Sequence, residues 1–530
     1  MNPRLEQLNP IPILVAILGC GFALYLGTVS GAGQYFDLTS IFLGIGLLAY
    51  LIHFYRFTWQ ISIFLTFIGL AYAPFGFRFN AIHLVLLLFT SLFLATVWRK
   101  QQITAPAFCQ TNAFKFLMFM YALCACYVIL HAIFNTLSPY SPEDFSYKSM
   151  LKSYFSRILT PLYIVFACYR LGLFKARTNF TNIIGVCLFI GLVFNIVIRL
   201  IFIPINPEDN AGGDDQLSFL YIPVINVMTS RYVLRGLAPF AALVGFVFST
   251  REYYRLTPHP GWTRFMFRSM MVLGFVGAAL SGGRGSIVAA FGLIVVACFV
   301  LKRYARLMLC MSSAIAAFLI LNLLGPSLQS LPLIYQRTLQ WVLLEKNPAV
   351  VGTIAGSSEW RNALFYRAIE EWRSSSRIFW FGRSTYSYSE ADLRGAVSRN
   401  QEDILQSSLR RGATHNSLSD DLLFFGLVGW SINLIKDLAF LYASWILYRM
   451  TKRSNVPVNL LAGVCIVTSG SSIVGGFFAS GVIYDPSWLL FIIMLSRLAT
   501  EKQDEKEAEK KKLESSSPSR LPLFALGHAK

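Results

Sequence analysis

Runs of about 20 apolar residues recur along the chain, and they limit its fold more than any other feature. Clear examples are the segments 11–29, 81–97, 183–203 and 307–324. A helix of about 20 residues crosses the roughly 30 Å hydrocarbon core of a bilayer. Because backbone polar groups in lipid must be bonded within the protein, repeated runs of this length indicate membrane-spanning helices. The sequence therefore predicts an all-α, polytopic membrane helix bundle.

The composition agrees with a membrane protein. The chain has 530 residues, of which 55% are hydrophobic and 14% charged, and its mean hydropathy is +0.55. These values lie outside the range of soluble domains. The apolar runs predict about 12 to 14 transmembrane helices, near 11–29, 38–54, 58–74, 80–97, 116–136, 158–172, 182–204, 232–250, 269–281, 285–301, 307–325, 421–447, 458–482 and 486–498.

Basic residues cluster in loops at alternate ends of the predicted spans. These loops lie at 99–115, 170–177, 251–268, 302–306 and 449–453. By the positive-inside rule they are cytoplasmic, so the net charge of +19 reports membrane topology. We therefore expect membrane lipids rather than nucleic acid as partners, with both termini in the cytoplasm.

The same topology divides the chain into four parts. Residues 1–325 form a bundle of about eleven spans, 326–420 a long loop on the outer side, 421–498 the C-terminal spans, and 499–530 a disordered cytoplasmic tail. A polar loop of this length exceeds the usual connection and indicates a functional element. We expect the loop to be largely helical. No cysteine pair with metal-ligand spacing occurs, so no metal site is predicted.

Arginine dominates the positive charge of the long loop, which has ten Arg and one Lys. Membrane topology does not explain positive charge on the outer side. The planar fork of Arg binds phosphate or carboxylate through two hydrogen bonds. A solvated surface of Arg–carboxylate pairs accounts for the same composition.

Arg361 stands out within the loop. Ser358 can cap a helix over 359–373 whose apolar residues share one face, and Arg361 falls in the middle of that face and in the first turn. There it needs an anionic partner, because burial and the helix macrodipole both disfavour a cation. An ion pair with a carboxylate and a contact with a ligand both meet this need.

Arg284 lies in a glycine-rich turn between two spans, Ser281–Ser286. So short a connection requires glycine and lets another chain or a ligand approach the backbone. Arg284 then sits at the outer membrane boundary, where it is either a snorkelling interfacial residue or a ligand contact.

His415 and Asn416 directly precede the twelfth span, where Ser417 can cap the helix and Asp420 can complete the cap. Unpaired amides at a helix start favour phosphate, and a His there suits general base catalysis. A structural His fits the same position. Asn416, Arg235 and Arg411 are candidate cavity-lining residues, and Lys436 with Asp437 inside the span favours a structural pair over a proton relay.

Three motifs on the outer side resemble the bacterial O-antigen ligase and polysaccharide polymerase superfamily. They are SGGRG (281–285), SEWRNALFYRAIEEW (358–372) and THNSLSDDLLFFGLVGW (414–430), in that order, and the resemblance covers about a third of the chain, roughly 269–447. Each motif is weak alone, but their order and common side make the combination specific.

The resemblance implies a metal-independent glycosyltransferase without a cofactor, at the periplasmic face of the bacterial inner membrane. It would move an undecaprenyl-diphosphate-linked glycan to a glycan acceptor, as a polymerase does, or to lipid A core, as a ligase does. By position, Arg284 and Arg361 would hold the diphosphate and His415 would activate the acceptor hydroxyl. A flippase for lipid-linked glycans, another transporter, and a non-catalytic scaffold are the alternatives.

Overall fold

The structure is a computed structural model. It describes residues 71–72, 107–135, 180–201, 219–222, 225–228, 231–257, 259–281, 284–328, 348–383, 417–452 and 456–478, with single positions or short stretches at 336, 339, 342–345, 409, 509 and 513. The predicted spans near 11–29, 38–54, 80–97, 158–172 and 486–498 lie outside these residues, as does nearly all of the tail.

Helices make up most of the described chain. In order they are α1 (Asn112–Asn135), α2 (Phe180–Ile201), α3 (Arg231–Phe248), α4 (Arg251–Arg255), α5 (Pro260–Leu280), α6 (Arg284–Val300), α7 (Tyr304–Leu323), α8 (Gly325–Leu328), α9 (Pro348–Arg373), α10 (Ser376–Phe381), α11 (Ser417–Thr451) and α12 (Val456–Phe478). A 3₁₀ turn, Ala107–Gln110, precedes α1. The predicted helical class is confirmed.

Five helices of the described part are long and apolar enough to cross a membrane: α1, α5, α7, α11 and α12. Helix α7 makes the clearest case, because it is apolar and yet none of its residues is buried. Its large apolar side chains Met308, Leu309 and Leu323 are 68%, 67% and 84% exposed. A helix that is apolar on every side is stable where hydrocarbon surrounds it. The shorter apolar helices α2, α3 and α6 match predicted spans.

Helix α3 lies at the centre of the bundle and packs against α2, α5, α6 and α12. Its contact with α5 depends on small residues. A Cβ added to Gly274 would lie 2.7 Å from Cβ of Ala242 and 2.8 Å from the carbonyl oxygen of Ala238, and one added to Gly245 would lie 2.7 Å from the carbonyl oxygen of Phe267. Gly and Ala at such spacing let membrane helices approach closely.

One end of the bundle contains the described residues of three predicted basic loops, and we call it the basic end (249–257, 259–268, 301–306, 448–452 and 456–463). Arg303 Nη1 donates to the carbonyl of Val247 at 3.1 Å, and Arg306 Nη2 to that of Ser249 at 3.0 Å. A Cβ added to Gly463 of α12 would lie 3.0 Å from Cδ2 of Leu301, so α12 packs closely against the end of α6. The C-terminal ends of α3 and α6 and the start of α12 therefore meet here.

The opposite end, which we call the loop end, contains Ser281 at the end of α5, the start of α6, the start of α11, and helices α9 and α10. Ser281 is buried, and its hydroxyl donates to the carbonyl of Ala278 at 2.7 Å. Helices α9 and α10 pack on α11. The long loop and the basic loops described therefore lie at opposite ends of the bundle.

A small antiparallel sheet was not predicted. Its strands β1 (Ala71–Tyr72), β2 (Phe219–Ile222) and β3 (Ile225–Met228) have the order β1-β3-β2. Ala71 pairs with Met228 and Ile222 with Ile225. The predicted span near 58–74 is therefore wrong at its end, where the chain pairs as a strand. The reason is non-local: two residues of a long apolar run pair with a segment about 150 residues away.

Candidate functional site

Helix α11 begins at Ser417, directly after His415 and Asn416, and it is broken nine residues later. Gly426 has φ 67° and ψ −175°, which interrupts the 35-residue helix. We call residues 417–425 the short arm and 427–451 the long arm. A straight helix of that length would span about 50 Å, well beyond the roughly 30 Å hydrocarbon core.

The two arms fold back toward each other. Asn433 Nδ2 donates to Asp421 Oδ2 at 3.2 Å, although the two residues are 12 apart in sequence. In a straight helix 12 residues rise about 18 Å. The bend at Gly426 therefore turns the short arm sharply out of the axis of the long arm.

A second glycine meets the bend from the long loop. Gly382, which ends α10, has φ 76°. A Cβ on Gly382 would lie 2.6 Å from the amide nitrogen of Phe425, and a Cβ on Gly426 would lie 2.5 Å from that of Phe381. Both residues also have a positive φ, which favours glycine. The end of α10 and the bend of α11 are thus in direct backbone contact.

Helix α1 holds this junction with two side chains. The Tyr127 hydroxyl donates to the carbonyl of Phe425 at 2.5 Å, and His131 Nε2 lies 2.8 Å from the carbonyl of Phe381. Because a carbonyl only accepts, His131 carries its proton on Nε2. A helix break within a membrane protein frees carbonyl groups that must be bonded elsewhere, and Tyr127 supplies one such bond.

Arg383 fastens the long loop to the short arm. Its amide donates to the carbonyl of Leu423 at 2.9 Å. Its guanidinium pairs with Glu371 of α9 and donates to the carbonyl of Leu409 at 2.6 Å. It also lies over the ring of Phe424, with Cζ 5.2 Å from the centroid. One side chain thus connects α9, the short arm and the segment that leads to His415.

An apolar cluster fills the space under these contacts. It contains Leu364, Ala368 and Trp372 of α9, Leu422–Phe425 of the short arm, Cys124, Ala125 and Val128 of α1, and Leu409. The Trp372 ring stacks on Phe379 with centroids 4.6 Å apart, and its Nε1 donates to the carbonyl of Phe379 at 3.0 Å. Burial of these aromatic and aliphatic groups makes the loop helices a firm support for the start of α11.

The expected surroundings of Arg361 are wrong. Helix α9 begins at Pro348 rather than Glu359, so Ser358 lies inside the helix and Arg361 is not in its first turn. Arg361 is also exposed, although it shares the angular position of the buried face. The reason is that Leu364 is the first buried residue among the described side chains of α9, and it lies beyond the level of Arg361. Its charge therefore needs no partner within the protein and is accessible to an anion.

The other predicted site residues have different outcomes. Arg284 starts α6, as the glycine-rich turn predicted, and its side chain lies outside the described part. Arg235 is half-buried near the start of α3. His415, Asn416 and Arg411 fall outside the described residues.

The predicted pair inside the twelfth span is present. Lys436 Nζ lies 3.2 Å from Asp437 Oδ1 and 2.6 Å from Asn433 Oδ1. Asn433 in turn bonds Asp421, so a polar network joins the long arm to the short arm. Pairing of this kind stabilises charged groups in a membrane helix.

Part of the arginine-rich loop forms ordinary ion pairs. Arg367 and Glu370 pair at 3.3 Å with side chains 50% and 69% exposed, which agrees with a solvated surface and contributes little to stability. Sequence reasoning missed the special position of Arg383, for which the only signal was the glycine that precedes it. Within the described residues no cluster of His, Cys, Asp or Glu could hold a metal ion.

Comparison with known proteins does not identify a family. No protein-family model matches the chain, and no curated protein matches it significantly. What the chain does must therefore be inferred from its residues and their arrangement at the loop end.

Proposed function

We propose that the chain is a metal-independent glycosyltransferase of the bacterial inner membrane. Its donor is an undecaprenyl-diphosphate-linked glycan, and its acceptor is a glycan or lipid A core at the periplasmic face. One observation supports the proposal most strongly: the loop helices, α1 and two opposed glycines hold the short arm of α11, which starts directly after His415 and Asn416.

The clamped short arm fixes the start of α11, and His415 precedes that start by two residues in the sequence. A catalytic group is most effective when rigid elements position it.

The distribution of charge supports a periplasmic site. Three basic loops gather at the basic end, and the positive-inside rule assigns such an end to the cytoplasm. The loop end would then face the periplasm with Arg361 exposed on α9 and Arg284 at the start of α6. A diphosphate donor needs such cations, because charge develops on its leaving oxygens.

In the proposed reaction, the acceptor hydroxyl oxygen attacks the anomeric carbon of the donor glycan. His415 takes the hydroxyl proton while the new glycosidic bond forms. The bond between the anomeric carbon and the diphosphate oxygen breaks, and undecaprenyl diphosphate leaves with the electron pair. The forked guanidinium groups of Arg284 and Arg361 stabilise the charge of the leaving diphosphate.

The test uses purified full-length protein, a lipid-diphosphate glycan donor and either acceptor. Release of undecaprenyl diphosphate that depends on the acceptor is the expected result. Transfer to another lipid-linked repeat identifies a polymerase, and transfer to lipid A core identifies a ligase. Failure of both acceptors with a donor that binds would contradict the proposal.

A lipid-linked glycan flippase, or another transporter, is the second candidate, and the bent helix α11 favours it. Broken membrane helices that carry polar groups, such as the half-buried Asp421 and Lys436 here, are common where transporters bind substrates. In proteoliposomes, a flippase would move the lipid-linked glycan between leaflets without an acceptor. Transfer chemistry without such movement would favour the glycosyltransferase.

A further inference from the structure

The basic end contains a buried tyrosine hydroxyl whose proton has no acceptor among the described residues. Tyr254 belongs to α4 and is 4% exposed. Among the described residues, no acceptor is placed to take its proton, and Arg268, which interacts with its oxygen, can only donate. A buried hydroxyl whose proton has no acceptor is unfavourable, so the site is incomplete as it stands.

Three arginines surround this hydroxyl and none can accept its proton. Arg264 Cζ lies 5.4 Å from the centre of the Tyr254 ring. Burial raises the pKa of the Tyr254 phenol, and the positive charges of Arg268, Arg264 and Arg306 oppose that rise. A guanidinium has donors only. The proton of Tyr254 therefore needs an acceptor from outside this group.

The positive charge of the arginines is only partly balanced, by Glu252, whose charge acts on Arg303. In the described part of the chain, the ion pairs are elsewhere, and Arg264, Arg268 and Arg306 pair with no carboxylate. Arg306 is held in place by its bond to the carbonyl of Ser249 at 3.0 Å. Arg303 beside it is half-buried, and burial together with Arg306 lowers the pKa of Arg303 to about 10. The group is thus a concentration of positive charge in which Arg306 is held in place, while Arg264 and Arg268 are exposed.

A phosphate meets both needs at once. Its oxygens can accept from the Tyr254 hydroxyl and from several guanidinium groups, and its charge balances the arginines. A carboxylate offers fewer acceptor positions for a set of four donor side chains. The chemistry of the site therefore selects a phosphate group.

Exposed aromatic residues place this phosphate at a membrane surface. Trp262 and Phe265, in the first turns of α5, are 55% and 58% exposed, with ring centroids 5.8 Å apart. Helix α5 is itself a candidate span. Aromatic side chains at the end of a membrane helix lie at the headgroup level, where anionic lipids carry their phosphates.

We propose that Tyr254, Arg264, Arg268 and Arg306 bind the phosphate of an anionic phospholipid headgroup. The site lies at the basic end, opposite the loop end, and does not depend on the proposed glycosyltransferase activity. It would tie the junction of α3, α4 and α5 to one class of lipid.

The test measures lipid binding to purified full-length protein in detergent by native mass spectrometry. The probes are phosphatidylglycerol, phosphatidylcholine and inorganic phosphate. We expect the protein to prefer phosphatidylglycerol, and Tyr254→Phe to weaken that binding about tenfold, because one hydrogen bond to a charged group is lost. Tyr304→Phe is the matched control, since Tyr304 also lies at the basic end but is 55% exposed.

A folding defect in Tyr254→Phe is checked by thermal unfolding without anionic lipid. The variant should unfold at the same or a higher temperature, because it removes a buried hydroxyl whose proton had no acceptor. The proposal is overturned if phosphatidylglycerol and phosphatidylcholine bind equally, or if Tyr254→Phe keeps the preference. Inorganic phosphate that binds as tightly as phosphatidylglycerol would assign the site to free phosphate and also overturn it.

Discussion

Replacement of Gly426 by Ala should destabilise the protein and release the long loop from α11. An Ala at φ 67° and ψ −175° would occupy a region used almost only by glycine, at a cost of about 1–3 kcal/mol. Its Cβ would also lie 2.5 Å from the amide nitrogen of Phe381. Backbone atoms cannot move aside as a flexible side chain does, so overpacking adds about 1–3 kcal/mol. The total loss is about 2–6 kcal/mol.

The assay is thermal unfolding of the purified variant in detergent, compared at a fixed scan rate because membrane proteins of this size often unfold irreversibly. Gly292→Ala is the control. It lies inside α6, and a Cβ there would meet nothing within 4 Å, so the change should be neutral or slightly stabilising. Equal unfolding temperatures for the two variants would refute the account of the bend.

Two further perturbations test the junction and the proposed diphosphate site. Tyr127→Phe leaves the carbonyl of Phe425 without its bond and should lower the free energy of unfolding by about 1–3 kcal/mol, measured by the same thermal assay. Arg284→Lys or Arg361→Lys keeps the charge but loses the fork, and transfer should fall about tenfold or more. The control is Arg367→Lys, which changes an exposed ion pair and should leave transfer unchanged. Full activity in both Arg284→Lys and Arg361→Lys would show that neither guanidinium group is needed.

The sequence predicted the helices because length and hydrophobicity decide them. The span predicted near 285–301 is α6, Arg284–Val300, and the span near 307–325 is α7, Tyr304–Leu323. In each case an apolar run between charged or glycine-containing turns fixes both ends. Such runs need no knowledge of the neighbouring helices, so they can be recognised from the chain alone.

The start of α9 was missed because its first turns contain poor helix formers. Residues 348–358 include two glycines and several β-branched side chains, which lower helix propensity. Propensity is a weak guide when tertiary packing stabilises a helix, and Pro348 at the first position favours a helix start. Because the predicted helix began at Glu359 instead of Pro348, Arg361 was wrongly assigned to its first turn.

The bend in α11 could not be predicted because it depends on two distant segments. Gly426 alone inside an apolar run is compatible with an unbroken helix. Its conformation is fixed by Gly382 from the long loop and by Tyr127 from α1, and these contacts join residues up to 298 positions apart. The polar bond between Asp421 and Asn433 follows from the same bend.

The topology of the proposed site can be tested without a substrate. A reporter fused near Ser387 should lie in the periplasm, and one fused after Lys502 in the cytoplasm, because the described basic loops gather at the end opposite α9. A cytoplasmic signal near Ser387 would put the site on the wrong side of the membrane for a periplasmic acceptor.

The most direct measurement of the central claim follows transfer and donor binding separately in purified His415→Ala. We predict that transfer falls about a hundredfold to ten-thousandfold, because the general base is lost. Donor binding should persist, because Arg284 and Arg361 remain, and insertion and folding should match the wild type. Transfer at a rate near that of the wild type would contradict the claim and leave His415 with a structural role.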